Sequence, residues 1–316
     1  MQRFTSIAAL TALLITAAAC GDDTSSGASA TTAGAETTVA AVDTVLPETV
    51  LPETTAGVPA AKAIVSISPT ATEMLFAIGA GDQVIAVDDQ SNYPAEALQK
   101  PHDLSGFEPN VEAIAALKPD LVVTSDDKVK DQLEKLGITV WIGPAAATFD
   151  DVYSQIEQLG AATGHVGDAA ELVSTMQTDI KAAVDAAPKP TTPLKMYHEL
   201  DNTFYSVTSN TFIGQVYAQF GLVNIADGAQ PGNDYPQLNA EYIVQQNPSL
   251  IFLADTKCCG ESPETVAARP GWDVIDAVQH GGVVGIDDDV ASRWGPRIVD
   301  FIKIVGEAIA KVPAAN

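Results

Sequence analysis

Two adjacent cysteines, Cys258 and Cys259, are the most chemically distinctive pair in this 316-residue chain, which has one other cysteine, Cys20. Outside the cytoplasm such a pair favours a disulfide. Neighbouring Cα atoms lie about 3.8 Å apart, however, below the usual range of about 4.4 to 6.8 Å for a disulfide. We therefore predict a strained vicinal disulfide, and two free buried thiols or a redox-labile pair are the alternatives.

The first 19 residues predict a secretory signal peptide. Arg3 is followed by apolar or small residues from Ile7 to Ala19, a stretch too short to span a bilayer as a mature helix. The sequence TAAAC at residues 16–20 resembles the lipobox of bacterial lipoproteins, although that motif prefers Leu where Ala17 stands. We predict that Cys20 is lipidated and anchors the protein to the outside of the cell membrane. The alternative is a secreted protein with an unmodified Cys20.

Composition separates a tether from a folded part. Residues 20–61 contain no Lys or Arg and are rich in Ser, Thr, Ala, Gly and Pro. This composition predicts a disordered tether. The net charge of −25 argues against nucleic acid and anionic lipid as partners. We expect only the lipid anchor to contact the membrane, and we expect a monomer.

Short β-branched runs alternate with amphipathic helical patterns through the folded part, which is typical of parallel sheets covered by helices. The longest helical pattern covers residues 168–187, with apolar residues at every fourth position, and it ends at the proline-rich sequence PKPTTP. The pattern predicts an α/β protein with two Rossmann-like lobes, residues 62–166 and 189–316. One long linking helix, residues 167–188, joins them.

An internal repeat relates the two lobes. NVEAIAALKPDLVVTSD, which starts at Asn110, aligns without gaps on NAEYIVQQNPSLIFLAD, which starts at Asn239. In each copy Asn is placed to cap a helix, and an acid, Glu112 or Glu241, falls in its first turn. Helix stabilisation alone explains each glutamate separately. A matched pair of acids on two lobes also predicts a partner that contacts both lobes.

These repeats belong to a wider pattern of motifs. The pattern consists of IVSISPTATEMLFAIGAGDQVIAVDDQSNYP, the two repeats and the later GPRIVDFI. Through these motifs the chain resembles the helical-backbone class of substrate-binding proteins, which deliver iron complexes and vitamin B12 to ABC importers. The resemblance covers nearly all of residues 62–312. It implies a ligand cleft between the lobes and salt bridges from Glu112 and Glu241 to arginines of the importer's membrane subunits.

The implied cleft lies beyond the carboxyl ends of the strands in both sheets. Arg293 offers planar bidentate contacts and Trp294 an aromatic face, whereas we interpret Arg297 as a structural ion-pair residue. Together the predicted ligand-binding residues are Asp88, Asp89, Gln90, Asn92, Tyr93, Phe107, Ser125, Asp126, Asn202, Phe204, Tyr205, Tyr235, Cys258, Cys259, Asp289, Arg293 and Trp294.

Several of these residues have a plain structural interpretation as well. Asp88 and Asp89 are also explained as turn residues, Tyr93 as a packing aromatic and Tyr205 as core. The cobalamin binders of the family have cleft aromatics where Gln90 and Ser125 stand here, and also at the positions of Tyr205 and Tyr235. The resemblance therefore leaves the ligand open between a corrinoid and an iron complex such as a siderophore or haem-like ring.

Three functions other than delivery to an importer are compatible with an extracytoplasmic α/β protein. A lipid-anchored enzyme lacks support because the chain has no G-x-S-x-G, H-E-x-x-H or P-loop motif. A bare metal site lacks support because the four histidines are scattered singly, so no metal and no cofactor is predicted. A ligand sensor or scavenger without an importer is the remaining alternative.

Overall fold

Parallel β-sheets form the centre of each half of the folded part, which the computed structural model describes over residues 60–312. The strands of the first half are β1 to β4, at Ile64–Ile67, Val84–Val87, Leu121–Thr124 and Thr139–Ile142. Its helices are α1 to α4, at Pro69–Ala77, Val111–Ala116, Lys130–Lys135 and Phe149–Thr163. The strand order is β2-β1-β3-β4, and every pairing is parallel.

The second half repeats this arrangement after the linking helix α5, Val166–Ala186. Its strands are β5 to β8, at Lys195–Glu199, Val223–Asn224, Leu250–Leu253 and Val283–Gly285, in the order β6-β5-β7-β8. Its helices are α6 to α11, at Phe212–Ala218, Ala240–Gln246, Pro263–Ala267, Asp276–His280, Asp288–Ser292 and Ile298–Lys311. We call the two halves the N-terminal and C-terminal lobes, and the predicted fold class is confirmed.

The internal repeat is a structural repeat. Asn110 and Asn239 cap α2 and α7, because their side-chain oxygens accept hydrogen bonds from the backbone N–H groups of Ala113 and Tyr242 at 3.0 and 2.9 Å. The strands β3 and β7 follow at the same distance along the chain. All four residues of each strand are buried, which explains why both sequences are apolar except for Thr124 at the end of β3.

Helix α5 joins the lobes through a shared hydrophobic core. Met176 and Ile180 of its predicted apolar stripe are buried, and Leu172 and Val184 pack partly buried against the same core. That core includes residues of both sheets, α4 and α11. The helix ends two residues before the predicted boundary, since Ala187 precedes a proline and is extended.

A buried ion pair also connects the lobes. Glu73 of α1, whose side chain is 1% exposed, accepts hydrogen bonds from Arg293 at 2.8 Å and from Nε of Arg297 at 2.8 Å. Both arginines belong to the C-terminal lobe, on either side of the turn into α11. The structural ion pair that the sequence indicated for Arg297 is thus formed, with Glu73 as its partner.

Part of the sequence prediction lies outside the described residues. The signal peptide, the lipidation site Cys20 and nearly all of the tether fall within residues 1–59, which the structure does not describe. Within residues 60–312, none of the helices combines the length and apolar composition needed to cross a membrane.

We expect the Glu73→Gln substitution to lower the free energy of unfolding by about 3 to 5 kcal/mol, because it leaves the largely buried Arg297 without its counter-charge and Arg293 with Asp289 alone. Urea unfolding followed by circular dichroism measures the change. The matched control is Asp185→Asn, which removes the partner of Lys181 from an exposed pair on α5 and should leave stability almost unchanged. Equal changes in the two variants would contradict a stabilising role for the ion pair between the lobes.

Candidate functional site

The turn after β2 carries the first group of predicted residues. Asp88 is buried, and its Oδ1 accepts a hydrogen bond from the backbone N–H of Gln90 at 2.8 Å. Burial raises the pKa of the Asp88 carboxyl to about 6. Asp88 therefore shapes the turn, whereas Asp89, Gln90 and Asn92 are exposed beyond the strand end.

Four predicted residues from the two lobes form one hydrogen-bonded cluster. Arg293 donates to Oδ1 of Asn92 at 3.0 Å, to the backbone oxygen of Gln90 at 3.0 Å and to Asp289 at 2.7 Å. Asn92 in turn donates to Asp289 at 2.9 Å. Since Arg293 also contacts Glu73, both of its terminal nitrogens are engaged within the protein. The cluster links the turn after β2 to helix α10.

The loop after β7 is tied to α10. Oδ1 and Oδ2 of Asp288 accept hydrogen bonds from the backbone N–H groups of Lys257 and Cys258, each at 2.9 Å. Cys258 and Cys259 are exposed and free, with their Sγ atoms 2.7 Å apart. Hydrogen bonding to Cys259, together with partial burial, raises the pKa of the Cys258 thiol to about 12. The vicinal disulfide stays a prediction.

Exposed aromatic rings lie at the strand ends of both lobes. Phe107 is 75% exposed, Tyr235 54% and Tyr205 40%. Phe107 follows Gly106, where an added Cβ would lie 3.1 Å from the backbone oxygen of Ile67, the last residue of β1. Tyr205 pairs by an isolated antiparallel bridge with Gln237, beside the end of β5. Exposed rings at the strand ends of both lobes suit the cleft that the sequence predicts there.

Three other predicted aromatics lie in different environments. Phe204 is half-buried and stacks on Trp272 with ring centroids 5.7 Å apart. Trp294 is half-buried against the shared core and donates from Nε1 to Oε1 of Gln155 at 3.3 Å. The ring of Tyr93 lies 4.3 Å from the guanidinium carbon of Arg297. Phe204 and Trp294 are thus largely used within the protein, whereas Tyr93 is 45% exposed despite its contact with Arg297.

The remaining predicted residues stand singly at strand ends. Ser125 and Asp126 follow β3 and are half-buried, and Asp126 pairs with Lys128 at 2.7 Å. Asn202 is exposed after β5. Glu112 and Glu241 are both exposed in the first turns of α2 and α7. These helices run back toward the start of the next parallel strand, so both glutamates lie at the strand-end edge of their lobes.

A cavity of about 850 Å³ lies away from these strand ends. Phe76, Tyr93 and Pro296 line it, together with the Glu73–Arg297 pair. It is large enough for a small molecule. Its charged wall is nevertheless occupied by the ion pair between the lobes, and only Tyr93 of the predicted residues lines it. The strand ends therefore remain the better candidate site.

Sequence reasoning missed three buried acids, Glu73, Glu199 and Asp255. Glu73 was visible only as a single acid within the apolar run TEMLF. Asp255, fully buried at the end of β7, has no hydrogen-bond partner on either carboxylate oxygen. Burial, with the nearby carboxylates of Glu199 and Glu261, raises the pKa of Asp255 to about 7. Arg269 holds both of those glutamates, at 2.5 and 2.8 Å.

Metal chemistry has no obvious place among residues 60–312. No group of three or more His, Cys, Asp or Glu side chains is arranged there to hold an ion. His198 is fully buried and accepts or donates one hydrogen bond, with the hydroxyl of Tyr217 at 2.7 Å. Burial lowers its pKa to about 3, so this imidazole is neutral and forms part of the core.

Comparison with known proteins places the chain in a family. The family described as "Periplasmic binding protein" matches residues 64–290. An uncharacterized ABC transporter substrate-binding lipoprotein of Bacillus subtilis, YvrC, is 33% identical over 262 residues, which cover 78% of this chain and 80% of that protein.

Solved structures give the same result for the fold. The vitamin B12 binding protein BtuF of Vibrio cholerae is 25% identical, with a TM-score of 0.64, over 79% of this chain and 97% of that one. The heme-binding protein RhuT of Roseiflexus is 21% identical, with a TM-score of 0.70, over 80% and 99%. With the family match covering most of the chain and the two-lobed fold shared, this chain belongs to the periplasmic binding protein family.

Proposed function

We propose that this protein is the lipid-anchored, extracytoplasmic substrate-binding component of an ABC importer. It captures a corrinoid or an iron complex, such as a siderophore or haem-like ring, between its lobes. The observation that carries the proposal is the set of exposed rings at the strand ends, Phe107 in one lobe and Tyr205 and Tyr235 in the other. Rings from both lobes suit a ligand with a broad apolar or conjugated surface.

The relatives support the same class of ligand. A B12-binding and a heme-binding protein share the fold, and a substrate-binding lipoprotein is a 33% identical relative. The predicted strand-end residues, the vicinal cysteine loop and the polar cluster around Arg293 would surround such a ligand. The function is capture and release, so no bond of the ligand is made or broken and the protein is not an enzyme.

Delivery to the importer is assigned to Glu112 and Glu241. The two carboxylates are exposed, occupy equivalent helix positions and belong to different lobes. Arginines on the membrane subunits are the partners that would pair with them by charge-assisted hydrogen bonds. A sensor or scavenger that binds the ligand without an importer is the second candidate, and it gives these two glutamates no role beyond helix stabilisation.

We expect the purified full chain to bind at least one member of a panel of cobalamins, haem and ferric siderophores more tightly than about 10 μM, measured by calorimetry. Phe107→Ala and Tyr235→Ala should each weaken that ligand about tenfold or more, which corresponds to about 1.4 kcal/mol. The control is Leu136→Ala, an exposed apolar residue after α3, which should leave the affinity unchanged. No binding across the panel, or equal affinities in all variants, would overturn the proposed site.

We expect the double substitution Glu112→Gln and Glu241→Gln to abolish uptake in cells while ligand affinity stays within about twofold of the unmodified protein. The physical reason is the loss of both carboxylates that pair with the importer. A matched control replaces two other exposed helical acids, Glu134→Gln and Glu171→Gln, and should transport normally. Normal uptake by the Glu112 and Glu241 variant would overturn the docking role of these two glutamates.

For the cysteine loop, we expect a vicinal disulfide in the protein isolated without reductant. The measurement is alkylation followed by mass spectrometry of the peptide that contains Cys258 and Cys259. A disulfide leaves this peptide unlabelled until reductant is added, and reduction then permits two labels. Two labels before reduction would show that the pair is a dithiol, and the disulfide prediction would be wrong.

A further inference from the structure

The charges around the candidate cleft are predominantly negative. We define the strand-end segments as the turns that follow the strands and the chain that adjoins them by isolated bridges or shared turns. They are residues 88–93, 104–108, 125–128, 200–205, 234–237, 254–261 and 286–294. These segments contain twelve Asp or Glu residues against three Lys or Arg residues.

All three cations are already paired within the protein. Lys128 pairs with Asp126 at 2.7 Å. Lys257 pairs with Asp287 at 2.7 Å and with Asp289 at 3.0 Å. Arg293, the third, pairs with Glu73 and Asp289. A negative group on a ligand would have to compete with these carboxylates for each of the three cations.

If one of these cations paired with an anionic ligand instead, its carboxylate partners would lose a positive charge. If Lys257 turned to a ligand, Asp287 and Asp289 would each lose a positive partner. If Arg293 did so, the buried Glu73 would lose half of its pairing. An anionic group in the cleft would therefore meet like charges, and such an arrangement opposes binding.

Two titrating groups report the same negative field. The raised pKa of Asp255 has the carboxylates of Glu199 and Glu261 among its causes, after burial. Asp288 contributes to the raised pKa of the Cys258 thiol, after Cys259 and burial.

Carboxylates and backbone oxygens accept hydrogen bonds, so they suit a ligand that carries N–H donors. The exposed rings of Phe107, Tyr205 and Tyr235 add the apolar contact. We infer that the cleft is built for a neutral or cationic complex whose periphery is rich in amide groups, as in an amidated corrinoid, and that it rejects polyanions such as carboxylated tetrapyrroles and ferric triscatecholates. This inference rests on the proposed function and narrows its ligand.

The test compares ligands that share a ring and differ in charge. Dicyanocobinamide carries primary amides, and dicyanocobyrinic acid carries carboxylates at the corresponding positions. We expect the full chain to bind the amide at least 100-fold more tightly in calorimetry at low salt, a difference of about 2.7 kcal/mol. The ratio should fall as salt is raised, because screening weakens charge repulsion. Haemin and a ferric triscatecholate should bind no better than the carboxylated corrinoid.

A single substitution tests the charge mechanism separately. Asp287→Asn keeps the cap of α10 but removes one partner of Lys257. It should strengthen binding of the carboxylated corrinoid about threefold or more, whereas Asp185→Asn on α5 should change nothing.

The outcomes separate the two levels of the proposal. Tighter binding of haemin, a triscatecholate or the carboxylated corrinoid than of the amide would overturn this inference and leave the proposed function standing. An unchanged charge preference in Asp287→Asn would count against the charge mechanism. Failure of every probe to bind would overturn the proposed function and this inference with it.

Discussion

The buried carboxylate of Glu73, shared by Arg293 and Arg297, is the interaction on which the arrangement of the two lobes depends. Glu73 lies in the first helix and its partners lie more than 200 residues later, so the pair fixes the ends of the folded chain against each other. A buried pair of this kind is costly to break, because either side would be left charged in a poor solvent. Together with the core shared through α5, it opposes wide hinge motion.

Arg293 transmits this constraint to the candidate site. The same guanidinium that holds Glu73 also holds Gln90 and Asn92, which follow a strand of the other lobe. The strand-end turns on this side are therefore positioned by the contact between the lobes, before any ligand arrives. Preorganisation of this kind lowers the entropy cost of binding. It also explains why Arg293, although placed at the cleft, has little capacity left for a ligand.

The sequence predicted the architecture well because the relevant signals are local. Buried strands are predominantly apolar, the asparagine caps precede their helices, and the 129-residue repeat aligns β3 with β7. The two-residue strand β6 escaped prediction because Val223 and Asn224 give no periodic signal. The sequence also did not identify Glu73 as the partner of Arg293 and Arg297, because these residues are distant in sequence and no local pattern relates them.

Position along a strand predicted the site less completely, because it gives the edge of the sheet and not the direction of a side chain. Phe107, Tyr205 and Tyr235 are exposed, but Phe204 packs on Trp272 and Trp294 packs on the shared core. Asp88 is buried within its own turn. The sequence also could not show that Lys128, Lys257 and Arg293 are paired, and this pairing changes the expected ligand.

The two lobes resemble each other in fold but divide the proposed work between different loops. The loop after β3 carries Asp126 and Lys128, whereas the equivalent loop after β7 carries Lys257 and the cysteine pair, tied down by Asp288. Duplication preserved the strands and helix caps, since these determine folding, and left the strand-end loops free to diverge.

Because the cations in these loops are satisfied internally, affinity in the proposed function comes from ring contacts and hydrogen bonds to amides. Such contacts weaken together when the lobes are displaced even slightly. A partner that holds Glu112 and Glu241, one on each lobe, is placed to produce that displacement, so release need not depend on wide opening in solution.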